Sequence, residues 1–203
     1  MVKEKLLLIF TSPSSEKTSV STQAAKDFAK YFIAKNPKYS VDEMDLNKYP
    51  EFHNILNSSN FETYFSDGIT EKWMEILDKY SKVVFASPVI NWSAAPIFGS
   101  FINKITVARK TFNMVRNEKT NVHEAVGRYK DKKAFVILSK GGESADEVNE
   151  NIINSVMAQI EFIGYKTAGL LMSKMDMHEN YKQSPEFKLK NWQDKIKELA
   201  EKF

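Results

Sequence analysis

Apolar positions along the chain change their period several times. Leu6 to Phe10 is an unbroken apolar run, the pattern of a strand buried on both faces. From Ser19 to Ala34 the spacing turns helical: Ala24, Phe28, Tyr31 and Phe32 share one face, and Asn36-Pro37 stops it. Tyr39 to Asp45 predicts a second, more polar strand. Lys48 to Asp67 reads as a long polar and aromatic loop. Gly68 to Tyr80 predicts a helix with Trp73, Ile76, Leu77 and Tyr80 on one side, and Val83 to Ala86 a third strand. The next helix spans Pro96 to Ala108, with proline suited to its first turn. Lys110 to Lys130 has no regular period and reads as a long excursion holding one short turn. Ala134 to Leu138 predicts the fourth strand. Asp146 to Ile163 predicts a helix faced by Ile152, Val156, Ile160 and Ile163, and Gly164 ends it. Tyr165 to Met172 predicts the fifth strand, and Pro185 to Phe203 a final amphipathic helix carrying Phe187, Leu189, Trp192, Ile196, Leu199 and Phe203.

Five strands alternating with five helices predict an α/β fold: one parallel sheet with helices on both faces. The flavodoxin-like three-layer sandwich, strand order 2-1-3-4-5, fits five strands; the dinucleotide-binding order needs a sixth. The chain carries no internal repeat, low-complexity tract or linker, so residues 1–203 read as a single domain.

Composition narrows the picture. The chain has 203 residues, 42% of them hydrophobic, enough for one sizeable core. Net charge is +3 and the pI near 8.8, and basic tracts such as Lys130-Asp131-Lys132-Lys133 are broken by acids. Mild, dispersed charge argues against nucleic acid as a partner. The absence of cysteine excludes disulfides, thiolate chemistry and cysteine–zinc sites, and is compatible with a cytoplasmic protein. Met1 to Phe10 has too short an apolar run, and no cleavage pattern follows, so it reads as a strand rather than a signal sequence. No segment is long and apolar enough to suggest a membrane span.

In a 2-1-3-4-5 sheet, ligands bind beyond the carboxyl ends of the strands, where the order reverses between strands one and three. Three loops are therefore the candidates. The first, Thr11 to Ser21, is dense in hydroxyls and opens a helix. Ser12, Ser19, Val20 and Ser21 would offer hydroxyl and backbone N–H donors to a phosphate. The same residues also suit an ordinary capped helix start. The loop is neither a P-loop nor a dinucleotide fingerprint, for it has no glycine. The second loop is Ser87-Pro88-Val89-Ile90-Asn91-Trp92. Pro88 stiffens the backbone, Asn91 offers donors and an acceptor, and Trp92 a flat apolar face. Together they suit a planar heterocycle with a polar edge, such as a flavin. Taken singly, Trp92 fits core packing and Asn91 a turn. The third loop holds Ser139, Lys140, Gly141 and Gly142; paired glycines let backbone amides approach a ligand closely. His53, His123 and His178 lack metal spacing, and no Gly-x-Ser-x-Gly elbow occurs.

These loops make the sequence similar to the FMN-dependent NADH-azoreductases, a bacterial family also described as NADH:quinone oxidoreductases. The resemblance covers nearly the whole chain. It runs through Ser12 and Ser19-Val20-Ser21, Asp45-Leu46, Thr111-Phe112 and Phe162-Ile163-Gly164. Its most specific parts are Pro88-Val89-Ile90-Asn91-Trp92, against the family's Pro-Met-Tyr-Asn-Phe, and Ser139-Lys140-Gly141-Gly142, against Ser-Arg-Gly-Gly. The resemblance implies FMN, its phosphate on Ser12 and the Ser19 to Ser21 turn. It implies a ring lying against Val89 to Trp92, with Ser139 to Gly142 near the polar edge. It further implies a homodimer with its active sites near the subunit interface. NADH would supply hydride, and quinones, azo dyes or nitroaromatics would take two electrons at the same face, in ping-pong order. No catalytic side chain is required, because the flavin carries the chemistry.

Departures from the family pattern fall on Val89, Ile90, Trp92 and Lys140, on Ala108-Arg109-Lys110 before Thr111, and on a longer segment from Asn113 to Lys130. They bear on which acceptor is used. Two other readings remain: a flavodoxin-type electron carrier, against which the mildly basic pI argues, and a flavodoxin-fold protein that has lost catalysis.

Overall fold

The computed structural model describes residues 4–203; Met1 to Lys3 lie outside the described residues. In chain order the elements are β1 (Glu4–Phe10), α1 (Val20–Lys35), β2 (Tyr39–Asp45), α2 (Ile69–Asp78), β3 (Lys82–Ile90), β4 (Ser93–Ala94), α3 (Pro96–Ile105), β5 (Phe112–Arg116), β6 (His123–Gly127), β7 (Lys133–Ser139), α4 (Asp146–Phe162), β8 (Lys166–Met172), α5 (Pro185–Lys188) and α6 (Gln193–Lys202). The main sheet runs β2-β1-β3-β7-β8, all parallel, which is order 2-1-3-4-5 among the five long strands.

Successive strand residues point to opposite faces, and both faces are covered. Leu7, Ile9, Val83, Phe85, Val136 and Leu138 pack with Trp73, Phe98, Phe101, Val156 and Ile160 of α2, α3 and α4. Leu6, Leu8, Val84, Phe135 and Ile137 pack with Phe28 and Phe32 of α1 and Ile196 of α6. This double burial explains why β1, β3 and β7 are continuous apolar runs rather than alternating ones. Each such side chain contributes roughly 1.5–3 kcal/mol on leaving water. Ala24, Ala25 and Ala29, all buried, keep the inner face of α1 slim, and Phe28 stacks on Phe135 at 4.5 Å.

Register brings the loops to one edge. Phe10 pairs with Ala86, Pro88 with Ser139, and Ser139 with Met172. The segments that follow β1, β3, β7 and β8 therefore leave the sheet side by side.

Several elements differ from the sequence-based expectation. The predicted excursion from Lys110 to Lys130 contains an antiparallel hairpin, β5 with β6, in register from Phe112↔Gly127 to Arg116↔His123. Most of its side chains are exposed, so no buried face imprints a period of two on the sequence. It is anchored by Phe112 on Phe162, at 4.6 Å between ring centres, and by Arg128 on Asp78. Strand three continues past Ala86 to Ile90 and returns as β4. Helix α3 stops at Ile105 instead of Ala108. There Thr111 Oγ1 donates to the Ile105 carbonyl at 2.6 Å and accepts from Val107 N at 2.9 Å, replacing helical bonds with side-chain ones. The predicted final helix is broken into α5, a 3-10 turn over Lys190–Trp192, and α6. Pro185, Leu189, Ile196 and Ala200 are nonetheless all buried, the face that their helical spacing predicts. The loop from Lys48 to Asp67 is pinned by buried Phe52 and Tyr64. No helix of the described residues is long and apolar enough to cross a membrane.

Candidate functional site

The loop after β1 is tied to β3: Thr11 N and Oγ1 both donate to the Ala86 carbonyl, at 3.0 and 3.1 Å. On its other side Asn47 Nδ2 donates to the Ser12 carbonyl at 2.8 Å. The loop after β7 is tied to the segment after β8: Met175 N donates to the Lys140 carbonyl and Asp176 N to that of Gly141, both at 3.0 Å. Between these anchored loops lies a cavity of about 220 Å³. Ser12, Ser14, Thr18, Ser19 and Val20 line it from the first loop, Pro88 and Val89 from the second, Ser139 and Gly141 from the third. Met175, Asp176 and Lys188 close it from the chain beyond β8.

The first loop forms the polar wall. Ser19 caps α1, its Oγ accepting from Thr22 N at 3.2 Å. The N–H groups of Val20 and Ser21 then have no acceptor among the described residues. Ser12 Oγ accepts from Ser14 N at 3.2 Å, and Ser19 Oγ lies 3.3 Å from Ser21 Oγ. Free N–H groups at the start of a sixteen-residue helix, ringed by hydroxyls, make a seat for an anion.

The second loop divides. Pro88 and Val89 face the cavity; Ile90, Asn91 and Trp92 do not line it. Asn91 (φ 48°) and Trp92 (φ 64°) are the two central residues of a tight turn joining β3 to β4, with Ile90 paired to Ser93. Consecutive left-handed residues are the primed hairpin turn, which asparagine tolerates and tryptophan disfavours. Ser87 Oγ accepts from Ala95 N at 2.8 Å and braces this return. Trp92 is 60% exposed, so core packing does not account for it. Its ring borders a groove with Val148, Ile152 and Ser155 of α4.

The third loop divides too. Ser139 and Gly141 line the cavity, and the N–H groups of Gly141 and Gly142 donate to no acceptor among the described residues. A Cβ at Gly141 would lie 2.8 Å from Asp176 Oδ2, whereas one at Gly142 meets nothing within 4 Å. Lys140 turns away from the cavity, toward Trp92 and Ser144. The structure thus brings Ser12, Ser19, Val20, Pro88, Val89, Ser139 and Gly141 around one space. Ser21 and Gly142 adjoin it in sequence without lining it, and Ile90, Asn91, Trp92 and Lys140 stand outside it.

Sequence reasoning missed Asp176 and Lys188. Lys188 sits in a segment whose pattern reads as one amphipathic helix, where a lysine carries no signal of its own. A second cavity, of about 310 Å³ and mainly apolar, opens between the first loop and the start of α3. It is lined by Pro13, Phe52, His53, Ile55, Pro96 and Ile97 among others.

A five-stranded parallel sheet of order 2-1-3-4-5, with a cavity at the switch between β1 and β3, is the open doubly wound α/β arrangement of the flavodoxin-like class. The chain belongs to the family described as flavodoxin-like fold, which matches residues 4–199. It is 29% identical over 167 residues to the FMN-dependent NADH:quinone oxidoreductase of Mycoplasma mobile, covering 81% of each protein. It is 24% identical to the protein of that name from Malacoplasma penetrans, over 98% of this chain and 93% of the other. Among solved structures, an azoreductase from Bacillus anthracis superposes with a TM-score of 0.77 at 19% identity, covering 98% of this chain and 100% of that one. An FMN-dependent NADH-azoreductase of the same organism, in complex with FMN, superposes with a TM-score of 0.72 at 20% identity, covering 98% of each. These two likenesses concern the fold.

Proposed function

We propose that this chain is a single-domain FMN-dependent NADH oxidoreductase whose acceptors are flat aromatic compounds: quinones, azo compounds or nitroaromatics. The observation that carries the reading is the cavity at the β1–β3 switch, lined by Val20 at the start of α1 and by Gly141 after β7, whose N–H groups have no acceptor among the described residues. The donor set fits a flavin mononucleotide. Ser12, Ser19 and the N–H groups of Val20 and Ser21 would hold the phosphate. Pro88, Val89 and Ser139 would flank the ring, and the Gly141 and Gly142 amides would favour negative charge at its polar edge. Bound FMN supplies two-electron redox chemistry between NADH and an acceptor, used in turn at one site. Asn91 and Trp92, raised on their turn, would border the acceptor side, where an exposed aromatic face suits a flat molecule.

Names of relatives support the reading, since proteins sharing most of this chain's length are FMN-dependent NADH:quinone oxidoreductases. The reading includes a homodimer. Trp92 and Val148, both exposed and bordering one groove, are surface of the kind a second subunit covers.

The test is a visible spectrum of the purified protein, followed by NADH added without air. A flavin spectrum that bleaches supports an NADH-reducible enzyme. One that persists favours an electron carrier. No flavin, even after FMN is added, overturns the cofactor assignment. Sedimentation of the same sample reads the subunit count.

A further inference from the structure

Lys188 and Asp176 form an ion pair on the wall of the cavity. They are the only cation and the only carboxylate among its lining residues. The pair is lopsided: the Lys188 side chain is 10% exposed, that of Asp176 62%. Lys188 is carried inward because its neighbours Pro185 and Leu189 are buried, and because it closes the short helix α5, which Ser184 caps by accepting from Phe187 N. Asp176 is held by its backbone, which donates to the Gly141 carbonyl, while its carboxylate reaches into water.

A nearly buried ammonium costs desolvation, and an exposed carboxylate in high dielectric offsets only part of that cost. A phosphate dianion entering the same cavity is a stronger partner, through charge-assisted hydrogen bonds. An Asp176 carboxylate without a cation beside it would instead repel that phosphate. The serine hydroxyls and helix amides of the first loop can seat an anion, but they carry no net charge to select a dianion over a neutral group.

We propose that Lys188 is a specificity-determining residue for the phosphate of FMN, held in place by Asp176 until the phosphate takes over the pairing. The proposal rests on the FMN reading of the cavity. It makes the discrimination between FMN and riboflavin a property of the chain beyond β8, not of the first loop alone.

The experiment titrates FMN, and separately riboflavin, with flavin-free protein and reads quenching of flavin fluorescence. Riboflavin has the same ring and no phosphate. Lys188→Gln is expected to weaken FMN binding about tenfold or more, as loss of one charge-assisted contact does, and to leave riboflavin binding within about twofold. Lys188→Arg is expected to keep most of the preference for FMN. Asp176→Asn is expected to tighten FMN binding by freeing the ammonium. Equal loss for both flavins after Lys188→Gln would mean a structural role and overturns the proposal; so does no loss for FMN. Should Lys188→Gln fail to fold, Asp176→Asn decides: tighter FMN binding supports the proposal, unchanged or weaker binding overturns it. A wild-type chain that binds neither flavin overturns the cofactor reading and this inference with it. FMN binding that ignores residue 188 overturns this inference alone.

Discussion

The ammonium of Lys140 lies 4.8 Å from the centre of the Trp92 ring. This contact joins the glycine loop after β7 to the turn after β3, two segments nearly fifty residues apart in sequence. A cation over an exposed aromatic face contributes about 0.5–1 kcal/mol. It also fixes where the ring points, although Trp92 holds a left-handed backbone that favours glycine or asparagine.

That backbone yields the first prediction. Trp92→Gly relieves the positive φ and is expected to leave stability unchanged or raise it by up to about 1 kcal/mol. On the proposed function it lowers kcat/KM for a quinone about tenfold while FMN binding holds, because residue 92 is not on the cavity wall. Thermal melts and steady-state kinetics check both halves. Unchanged turnover would remove the ring from acceptor handling.

Two glycines make the second prediction. A Cβ on Gly127 would lie 2.1 Å from Gly164 N, so the end of the hairpin and the turn after α4 touch through their backbones. Gly164 itself sits at φ 107°. Gly127→Ala should cost about 3 kcal/mol or more, as backbone must move rather than a side chain. Gly99→Ala, inside α3 with nothing within 4 Å of the added methyl, should stabilise by roughly 0.5–1 kcal/mol. Urea denaturation of the two variants reads opposite signs.

The Arg128–Asp78 pair gives a pH dependence. Arg128 donates from Nε at 3.2 Å and from Nη2 at 2.6 Å to the two Asp78 oxygens. The Arg128 hydrogen bonds hold the Asp78 carboxyl below its ordinary value of 3.8, against a smaller opposing effect of burial. The folded state therefore keeps the proton off to lower pH than the unfolded state. The stabilisation is fully present above pH 3.8 and is lost as pH falls through the lower folded value. Both groups are over a third exposed, so solvent screening keeps the cost of Asp78→Asn at pH 7 within about 1 kcal/mol. That cost should shrink in acid. Denaturation of both proteins at pH 7 and pH 3 measures it.

Lys104 supplies the fourth. Its side chain is 1% exposed; Nζ pairs with Asp67 at 2.7 Å, donates to the Tyr64 carbonyl and lies 3.6 Å from the Tyr64 ring centre. The ammonium fastens the long loop before α2 onto α3. Asp67→Ala leaves it buried without its carboxylate and should cost about 3 kcal/mol. Lys104→Met removes the charge together with the need for a partner. It should cost less globally while leaving the loop open to proteolysis. Limited proteolysis around residues 54–67 separates the two effects.

How much of this was legible beforehand follows from burial. Strands β1, β3 and β7 are covered on both faces, so Leu6–Phe10, Val83–Ala86 and Ala134–Leu138 announce themselves as apolar runs. The hairpin β5–β6 buries little beyond the ends at Phe112 and Gly127, and its exposed Met114, Val115 and Val126 leave no alternation to read. The first and third candidate loops stood out because hydroxyls before a helix and paired glycines after a strand have local chemical reasons. Trp92 was ambiguous, since an aromatic side chain serves a core as readily as a surface. Only the tight turn at Asn91 and Trp92 decided for the surface.

By itself, the sequence determined the alternation of strands and helices, because periodicity and capping are local properties of the chain; the expected strand order came from how such alternations pack, and it pointed to the sheet edge where the candidate cavity opens. Tertiary structure alone decided that Lys188 reaches the cavity beside Asp176, that Lys140 turns to Trp92, and that Gly127 meets Gly164. Each of these pairs joins residues separated by many positions. Their proximity depends on where buried neighbours such as Leu189 are drawn when the two faces of the sheet are covered, and no local pattern encodes that.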